Sequence, residues 1–275
     1  MNAPDTYFSD FAHALRYWRN KRGYSQLKLS VDADVSQRHI SFLESGRAQP
    51  SRELILKLGI VLDVPLRQRN AMLLAAGFAP AYQERSLSDP EMQAVRRALE
   101  FMLAQAAPYP ALVVDRLWNL VMANEPAIAM LRFFLGMPTH APLPRDGSVN
   151  VIRTTLDPRG LRPCIVNWQD VCADQLQWIA REAMSDGPGS EAEALLAELA
   201  TLAGTDGSLA VPNLERRALP FLPVTLAKDG VELNLFTTIT TLGTPHDVTL
   251  HELRLESFFP ADDATAAWFA AQGQT

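Results

Sequence analysis

The stretch 25–47 constrains the fold of this chain more than any other, because it carries start and stop signals for two short helices. Ser25 can accept a hydrogen bond from an unpaired backbone N–H in a helix that opens at Gln26, and Ser36 can do the same for a second helix. Gly46 follows the second helix, where a left-handed residue commonly ends it. The pattern therefore predicts two helices joined by a tight turn.

The apolar residues of this stretch indicate which sides of the two helices are buried. In the second helix, Ile40 and Leu43 lie three residues apart and are expected to face inward. Their burial leaves Gln37, Arg38 and Ser41 on other faces, together with Phe42. In the first helix we expect the apolar positions to come from Leu27, Leu29, Val31 and Ala33.

These residues resemble the helix-turn-helix domains of the lambda-repressor/Cro (xenobiotic-response-element) family. The matches are Gln26, the turn Ala33-Asp34-Val35-Ser36, and Ile40-Ser41-Phe42-Leu43-Glu44-Ser45-Gly46. The run Asp32-Ala33-Asp34 departs from the family pattern, which usually has small residues in the turn. The resemblance spans about 8–77 and implies an all-α, five-helix, lambda-repressor-like DNA-binding domain.

The resemblance implies that the second helix reads DNA in the major groove. Gln37 can pair bidentately with adenine and Arg38 with guanine, each contact worth about 1–3 kcal/mol of discrimination. Phe42 either meets a thymine methyl group or packs in the core. Gln26 and the backbone near Arg47 are expected to hold phosphates. The candidate DNA-contact residues are Gln26, Ser36, Gln37, Arg38, Ser41, Phe42 and Arg47.

Length and charge indicate a second domain of a different kind. At 275 residues the chain is long enough for two domains. Residues 1–80 carry 11 Lys and Arg against 7 Asp and Glu, whereas the remainder carries 14 against 24. A basic head on an acidic body favours a DNA-binding module joined to a domain that does not bind DNA, although ordinary surface variation gives a similar balance. We predict a head over 1–79, a linker over 80–90 and a second domain over 91–275.

Periodicity predicts an α+β fold for the second domain, an antiparallel sheet with helices over one face that resembles PAS sensors. A helix over 89–107 either forms a dimer seam or packs on its own domain. The Asp-Gly pair at 229–230 predicts a hairpin between two strands. The predicted strands are 110–114, 117–123, 222–227, 231–242 and 249–258, and the predicted helices are 125–135, 149–155, 167–184, 191–203 and 264–271.

A second resemblance comes from the opening of this domain. Residues 110–127 read Pro-Ala-Leu-Val-Val-Asp-x-x-Trp-Asn-Leu-Val-Met-Ala-Asn-x-x-Ala, and 150–158 read Asn-Val-Ile-Arg-Thr-Thr-Leu-Asp-Pro. Both resemble motifs of the MmyB-like ligand-binding domain, as does Asn167-Trp168, and the match covers roughly 92–259. The resemblance implies a PAS-like regulator domain that binds a small, often fatty-acid-like molecule.

A pocket between sheet and helices would use side chains from these motifs. Arg153 can hold a ligand carboxylate in a bidentate pair, or it can pair with Asp157 four residues on. Asn124 is a further candidate, and it also stands where it can cap the following helix. Each Trp is either a pocket wall or plain core. The candidate ligand residues are Trp118, Asn124, Phe133, Phe134, Arg153 and Trp168.

Motifs for other classes of protein are absent from the sequence. It has no Gly-x-Ser-x-Gly, no phosphate-binding Gly-rich loop and no His-Glu-x-x-His, so we expect no enzyme, no catalytic residue and no cofactor. The spacing of Cys164, Cys172, His246 and His251 fits no compact zinc site, so we expect no metal. Two cysteines, no signal peptide and no membrane-length apolar run favour the cytoplasm.

The sequence as a whole predicts a DNA-binding transcription regulator with two kinds of partner. One is a pseudo-palindromic double-stranded operator bound by a homodimer, and the other is a small hydrophobic effector such as a fatty acid. Two alternatives remain open. The second domain is a ligand-free dimerisation module, or it is an enzyme whose DNA-binding head regulates its own expression.

Overall fold

The computed structural model describes residues 10–138, 149–187, 189–205, 223–243 and 247–272. The chain divides into two compact units. The first holds residues 1–84 with the segments 185–190 and 245–251, and the second holds the remainder. Each unit is described below by itself.

The first unit is built on five helices whose starts are fixed by local hydrogen bonds. Asp10, Ser25, Ser36 and Ser51 each accept a backbone N–H from the third residue along. Such caps satisfy donors that a helix cannot pair internally. The helices are α1 (Phe11–Lys21), α2 (Gln26–Asp32), α3 (Gln37–Glu44), α4 (Arg52–Val61) and α5 (Leu66–Ala75).

The core of this unit confirms the inward face of α3 and corrects that of α2. Ile40 and Leu43 are buried, as predicted. In α2, Leu29 is fully buried, but Leu27 is 57% and Val31 69% exposed. The prediction placed alternate residues inside, whereas only residues three or four apart share a helix face.

The two ends of the first unit are also set by side chains. At the N-terminal end, α1 begins after Asp10, whose φ of −159° is extended. At the other end, Asn70 accepts the N–H groups of Ala81 and Tyr82 and donates to the Tyr82 carbonyl. The opening of the predicted linker 80–90 is therefore fastened to α5.

The elements of the second unit follow the predicted order. A first helix is followed by two strands, a group of helices, three more strands and a last helix. The unit also contains short 3-10 helices at Pro90–Met92 and Arg162–Cys164. The elements of the second unit are α6 (Gln93–Gln105), β1 (Ala111–Val114), β2 (Leu120–Ala123), α7 (Glu125–Leu135), α8 (Val151–Leu156), α9 (Trp168–Asp186), α10 (Glu191–Ala203), β3 (Pro223–Lys228), β4 (Val231–Thr241), β5 (Arg254–Pro260) and α12 (Asp263–Gln272). Between β4 and β5 the chain forms α11 (Val248–Glu252), most of which belongs to the first unit.

The strands form one five-stranded antiparallel sheet in the order β2-β1-β5-β4-β3. On the face that carries Leu112, Ile239 and Phe258, the sheet contributes to a core with buried residues of α8, α9 and α10. The predicted α+β architecture, an antiparallel sheet with helices over a face, is confirmed. The likeness to PAS sensors stays a prediction.

Two elements of the chain differ from the predicted ones. The strand expected over 249–258 begins instead with α11, because Asp247 accepts the N–H of Thr249 and starts a helical turn. The helix expected over 89–107 is a 3-10 turn followed by α6. Its apolar residues Leu99 and Leu103 are buried, which favours core packing over a dimer seam.

Candidate DNA interface and ligand-binding site

Helix α3 presents its first residues to solvent. Ser36 caps it by accepting the His39 N–H at 3.2 Å, and Gln37 and Arg38 are both exposed. The side chains predicted to read bases therefore lie at the N-terminal end of a helix, where recognition helices contact base edges. Ser41, one turn on, is half-buried.

Phe42 lies outside the apolar core of the first unit. It is absent from the described cluster around Trp18 and Ile40, and it is half-buried. The Arg38 guanidinium lies over its ring at 5.1 Å, a cation–π contact that orients Arg38. Of the two alternatives for Phe42, this position favours a contact at the DNA surface.

A buried ion pair ties the recognition helix to α1 and α2. Glu44 at the end of α3 is 3% exposed, and Arg19 donates to its two carboxylate oxygens at 2.5 and 3.1 Å. Gln26 donates its side-chain amide to the same carboxylate at 2.8 Å. One amide hydrogen of Gln26 is therefore engaged inside the protein, which leaves the other for the predicted phosphate contact.

The basic end of α1 is largely used for internal bracing. Arg16 donates to the Glu44 carbonyl, and Arg22 donates to the carbonyls of Leu62 and Asp63. These contacts join α1 to the ends of α3 and α4.

Near Arg47 the backbone is already hydrogen-bonded. Gly46, with φ of +70°, ends α3, and the N–H groups of Arg47 and Ala48 both donate to the Phe42 carbonyl. These two N–H groups are therefore occupied within the protein, whereas the Arg47 side chain is exposed.

In the second unit, the motif residues Asp115, Asn119 and Asn150 build a turn. Asp115 accepts the N–H groups of Leu117 and Asn119 and the side-chain amide of Asn119 at 2.8–2.9 Å. Asn150 donates to the Leu117 carbonyl and accepts the Arg153 N–H, so it also caps α8. These polar motif residues hold the β1–β2 connection against α8.

Asn124 is fully used as a structural residue. Its Oδ1 accepts the N–H groups of Ala111 and Ala127, and its Nδ2 donates to the carbonyls of Leu103 and Tyr109. The first two bonds hold β1 and cap α7, and the other two reach α6 and the chain before β1. The structure therefore places Asn124 at a junction of elements, with its amide occupied.

We expect Asn124→Ala to lower the free energy of unfolding of the second unit by about 2–3 kcal/mol, because it leaves buried donors and acceptors unpaired. Asn124→Asp replaces the donating Nδ2 with an oxygen that faces the carbonyls of Leu103 and Tyr109, so it should destabilise the second unit at least as much as Asn124→Ala. Hydrogen exchange of the β1 and α7 amides measures the loss. A loss below about 1 kcal/mol for Asn124→Ala would contradict this structural role.

The aromatic candidates lie in two neighbouring clusters. Trp118 belongs to the cluster beneath α8, α9 and α10, where its Nε1 is buried and finds no hydrogen-bond partner within the part of the chain that the structure describes. Phe134 is buried in a second cluster with α12, and Phe133 packs on its edge. Trp168 contacts both clusters. The structure brings Trp118 and Trp168 together around one core, whereas Phe133 and Phe134 serve the other.

Arg153 is paired at the surface. It forms a bidentate pair with Glu198 of α10 at 2.6 and 2.8 Å, and the two side chains are 41% and 47% exposed. The hydrogen bond to Glu198 raises the pKa of Arg153 and lowers that of the carboxyl. The expected alternative partner, Asp157, pairs instead with Arg159. A ligand carboxylate would have to displace Glu198 to reach this guanidinium.

Signals for other activities are limited among the described residues. None of their helices has the length and apolarity that crossing a membrane requires. Within the same part of the chain, no group of three His, Cys, Asp or Glu is placed to hold a metal ion. Cys164 and Cys172 are free thiols, and burial raises the pKa of Cys172.

Comparison with known families matches both units. The profile described as helix-turn-helix matches residues 15–68, and the profile described as MmyB-like transcription regulator ligand binding domain matches residues 95–271. A comparison with curated proteins found no match. The helix-turn-helix profile includes α3, and the ligand-binding profile covers more than half of the chain. The chain therefore belongs to the MmyB-like family of DNA-binding transcription regulators with a ligand-binding domain.

Proposed function

We propose that the chain acts as a homodimer that reads a pseudo-palindromic operator with α3 and responds to a small hydrophobic effector held in the second domain. The observation that carries the DNA-reading part is the exposure of Gln37 and Arg38 at the capped start of α3. Gln and Arg are the side chains that discriminate adenine and guanine in the major groove. The buried pair between Arg19 and Glu44 holds that helix in place.

Symmetry follows from the small size of one recognition helix. α3 contributes eight residues, which reach only a few base pairs. Two copies related by a two-fold axis would read half-sites about 34–36 Å apart, one helical turn of DNA. A dimer therefore supplies the affinity and the specificity that a single head lacks.

The effector would act by preferring one arrangement of the dimer over another. A ligand shifts such an equilibrium only by the difference between its affinities for the two states. A fatty acid, which the family resemblance implies, needs a cation for its carboxylate, and Arg153 is already paired with Glu198. The geometry therefore supports the broader class of small hydrophobic molecules.

The test begins with selection of operators from random duplexes by the full-length chain at fixed salt, because phosphate contacts make affinity steeply salt-dependent. Mass photometry on the selected duplex counts the bound copies. Titrations with and without a fraction of small hydrophobic molecules then measure the response. Two copies on a palindrome and a changed affinity support the proposal. Binding by one copy would overturn the dimer, and unchanged affinity would favour a constitutive, ligand-free dimer.

Arg47→Ala should weaken binding to selected and unrelated duplexes alike, by a few-fold, and reduce the slope of log K against log salt by about 1. The reason is that phosphate contacts position the protein without reading sequence. Arg47→Lys is the matched control, because it keeps the charge. Electrophoretic or fluorescence titrations across salt give the slope, and a change in base preference would place Arg47 at base edges instead.

A further inference from the structure

Glu256 lies in the middle of the sheet on the face that the helices cover. In β5 it is directly opposite Leu112 of β1 and Ile239 of β4. Directly opposite residues in antiparallel strands share one face, so its side chain points the same way as theirs. Leu112 and Ile239 both belong to the apolar cluster beneath α8, α9 and α10. An ionisable carboxyl, only 7% exposed, therefore lies among apolar neighbours.

The carboxyl of Glu256 has no ion-pair or hydrogen-bond partner in the part of the chain that the structure describes. Burial alone raises its pKa to about 8, with no contribution from a charge or hydrogen bond of another residue. On the same face of β5, Arg254 stands two residues before Glu256 and pairs with Glu182 of α9 at 3.6 Å. The Cys172 thiol of α9 belongs to the same core, and the Arg162 guanidinium opposes the rise in the pKa of Cys172 that burial causes.

A second unpartnered acceptor comes from α9. Gln175 follows Cys172 by three residues and precedes Ile179 by four, so it shares their helix face. Cys172 and Ile179 are fully buried in the same cluster as Leu112. The Gln175 Oε1 is buried without a hydrogen-bond partner among the described residues. This acceptor therefore faces the same core as Glu256.

Two observations relate α9 to β5. Near the C-terminal end of α9, Glu182 reaches Arg254 at 3.6 Å. At its N-terminal end, Trp168 belongs to the same clusters as Phe258. Glu256 lies between Arg254 and Phe258 in β5, and Gln175 lies between Trp168 and Glu182 in α9, which supports a position of Gln175 near Glu256.

The unpaired Gln175 Oε1 costs about 1–3 kcal/mol, and burial disfavours the charged form of the Glu256 carboxyl until a cation pairs with it. An alkylammonium group offers three donors and no acceptor, and it forms charge-assisted hydrogen bonds with a carboxylate. The residues beyond 80 carry an excess of Asp and Glu, which favours approach of a cation over an anion. The Trp118 Nε1 in the same cluster is a buried donor that has no hydrogen-bond partner among the described residues.

We propose that Glu256 and Gln175 form the polar end of the effector site and that this site takes an apolar molecule with a primary amine. The inference rests on the proposed sensing role of the second domain. The bound ammonium would pair with an ionised Glu256 and donate to the Gln175 Oε1. Because free Glu256 is largely protonated at pH 7, binding would release its proton to solvent.

The test compares decylamine, decanoic acid and decan-1-ol, below their micellar concentrations, on the full-length chain by isothermal titration calorimetry. Decylamine should bind about tenfold or more tightly than decanoic acid. Titrations in buffers of different ionisation enthalpy should show about one proton released per site at pH 7. The release should disappear well above pH 8, where Glu256 is ionised before binding.

Variants separate this role from a merely structural one. Glu256→Gln should lose about tenfold or more in decylamine affinity, together with the proton release, and leave decan-1-ol binding unchanged. Arg96→Met, in an exposed surface pair with Glu100, is the control and should alter none of the three. Glu256→Leu removes the same carboxyl and should raise the melting temperature of the chain. Loss of decylamine binding in a more stable variant would then not be a loss of folding.

The outcomes distinguish the amine from the sensing role. Equal binding of the acid and the amine, or full amine binding by Glu256→Gln, would overturn the amine assignment and leave a hydrophobic effector in place. Binding of none of the three probes would also overturn the amine assignment. If operator affinity then also failed to respond to the hydrophobic fraction, the sensing role would fall with it.

Discussion

The double variant Gln37→Ala/Arg38→Ala is expected to bind the selected operator about 30- to 900-fold more weakly than the wild type, a loss of roughly 2–4 kcal/mol. Each bidentate pair with a base is worth about 1–3 kcal/mol, and neighbouring contacts add incompletely. Because only base contacts are removed, binding to unrelated duplexes should fall much less. The ratio of the two affinities, measured at one salt concentration, is the quantity that decides.

The fold should survive this change, since both side chains are exposed on α3. Arg67→Ala on α5 is a charge-matched control for Arg38→Ala. It breaks an exposed pair with Glu84, worth less than about 1 kcal/mol, and should leave operator preference intact. If Arg38→Ala left both affinity and base preference unchanged, α3 would not be the recognition helix of this chain.

The features predicted correctly from the sequence are those that depend on neighbours in the chain. Ser25 and Ser36 cap the helices they were expected to cap, because a cap bonds to a backbone group three residues away. The Asp-Gly hairpin likewise joins β3 to β4, with Asp229 and Gly230 both at positive φ. Local signals of this kind carry their partner within the same few residues.

The errors concern partners that are distant in sequence. Arg153 was offered Asp157 by helical spacing, yet its partner is Glu198, which belongs to another helix. Burial of Val31 was expected from its type, but which side of α2 meets α1 and α3 is a tertiary fact. Glu256 escaped notice because an acid in a strand ordinarily faces solvent, and Gln175 because a glutamine in a helix ordinarily does so too. The sheet register alone puts Glu256 on the covered face.

Glu44 is a further residue whose contribution to the stability of the head depends on partners that are distant in sequence. Sequence placed it within the helix-turn-helix motif but gave no partner, whereas the structure joins it to Arg19 and Gln26. We expect Glu44→Ala to lower the free energy of unfolding of the head by about 3–5 kcal/mol. The reason is that Arg19, whose side chain is only 12% exposed, would be left as a buried charge without its anion.

Further variants separate the worth of the pair from the cost of an orphaned charge. Arg19→Met/Glu44→Leu removes both charges and replaces them with apolar groups of similar size, so it should recover most of the lost stability. Hydrogen exchange of the α1 and α3 amides in the full-length chain reports the head separately from the second unit. A loss below about 1 kcal/mol for Glu44→Ala would mean that water substitutes for the carboxylate. In that case, packing of Ile40 and Leu43, rather than this ion pair, would hold the recognition helix in place.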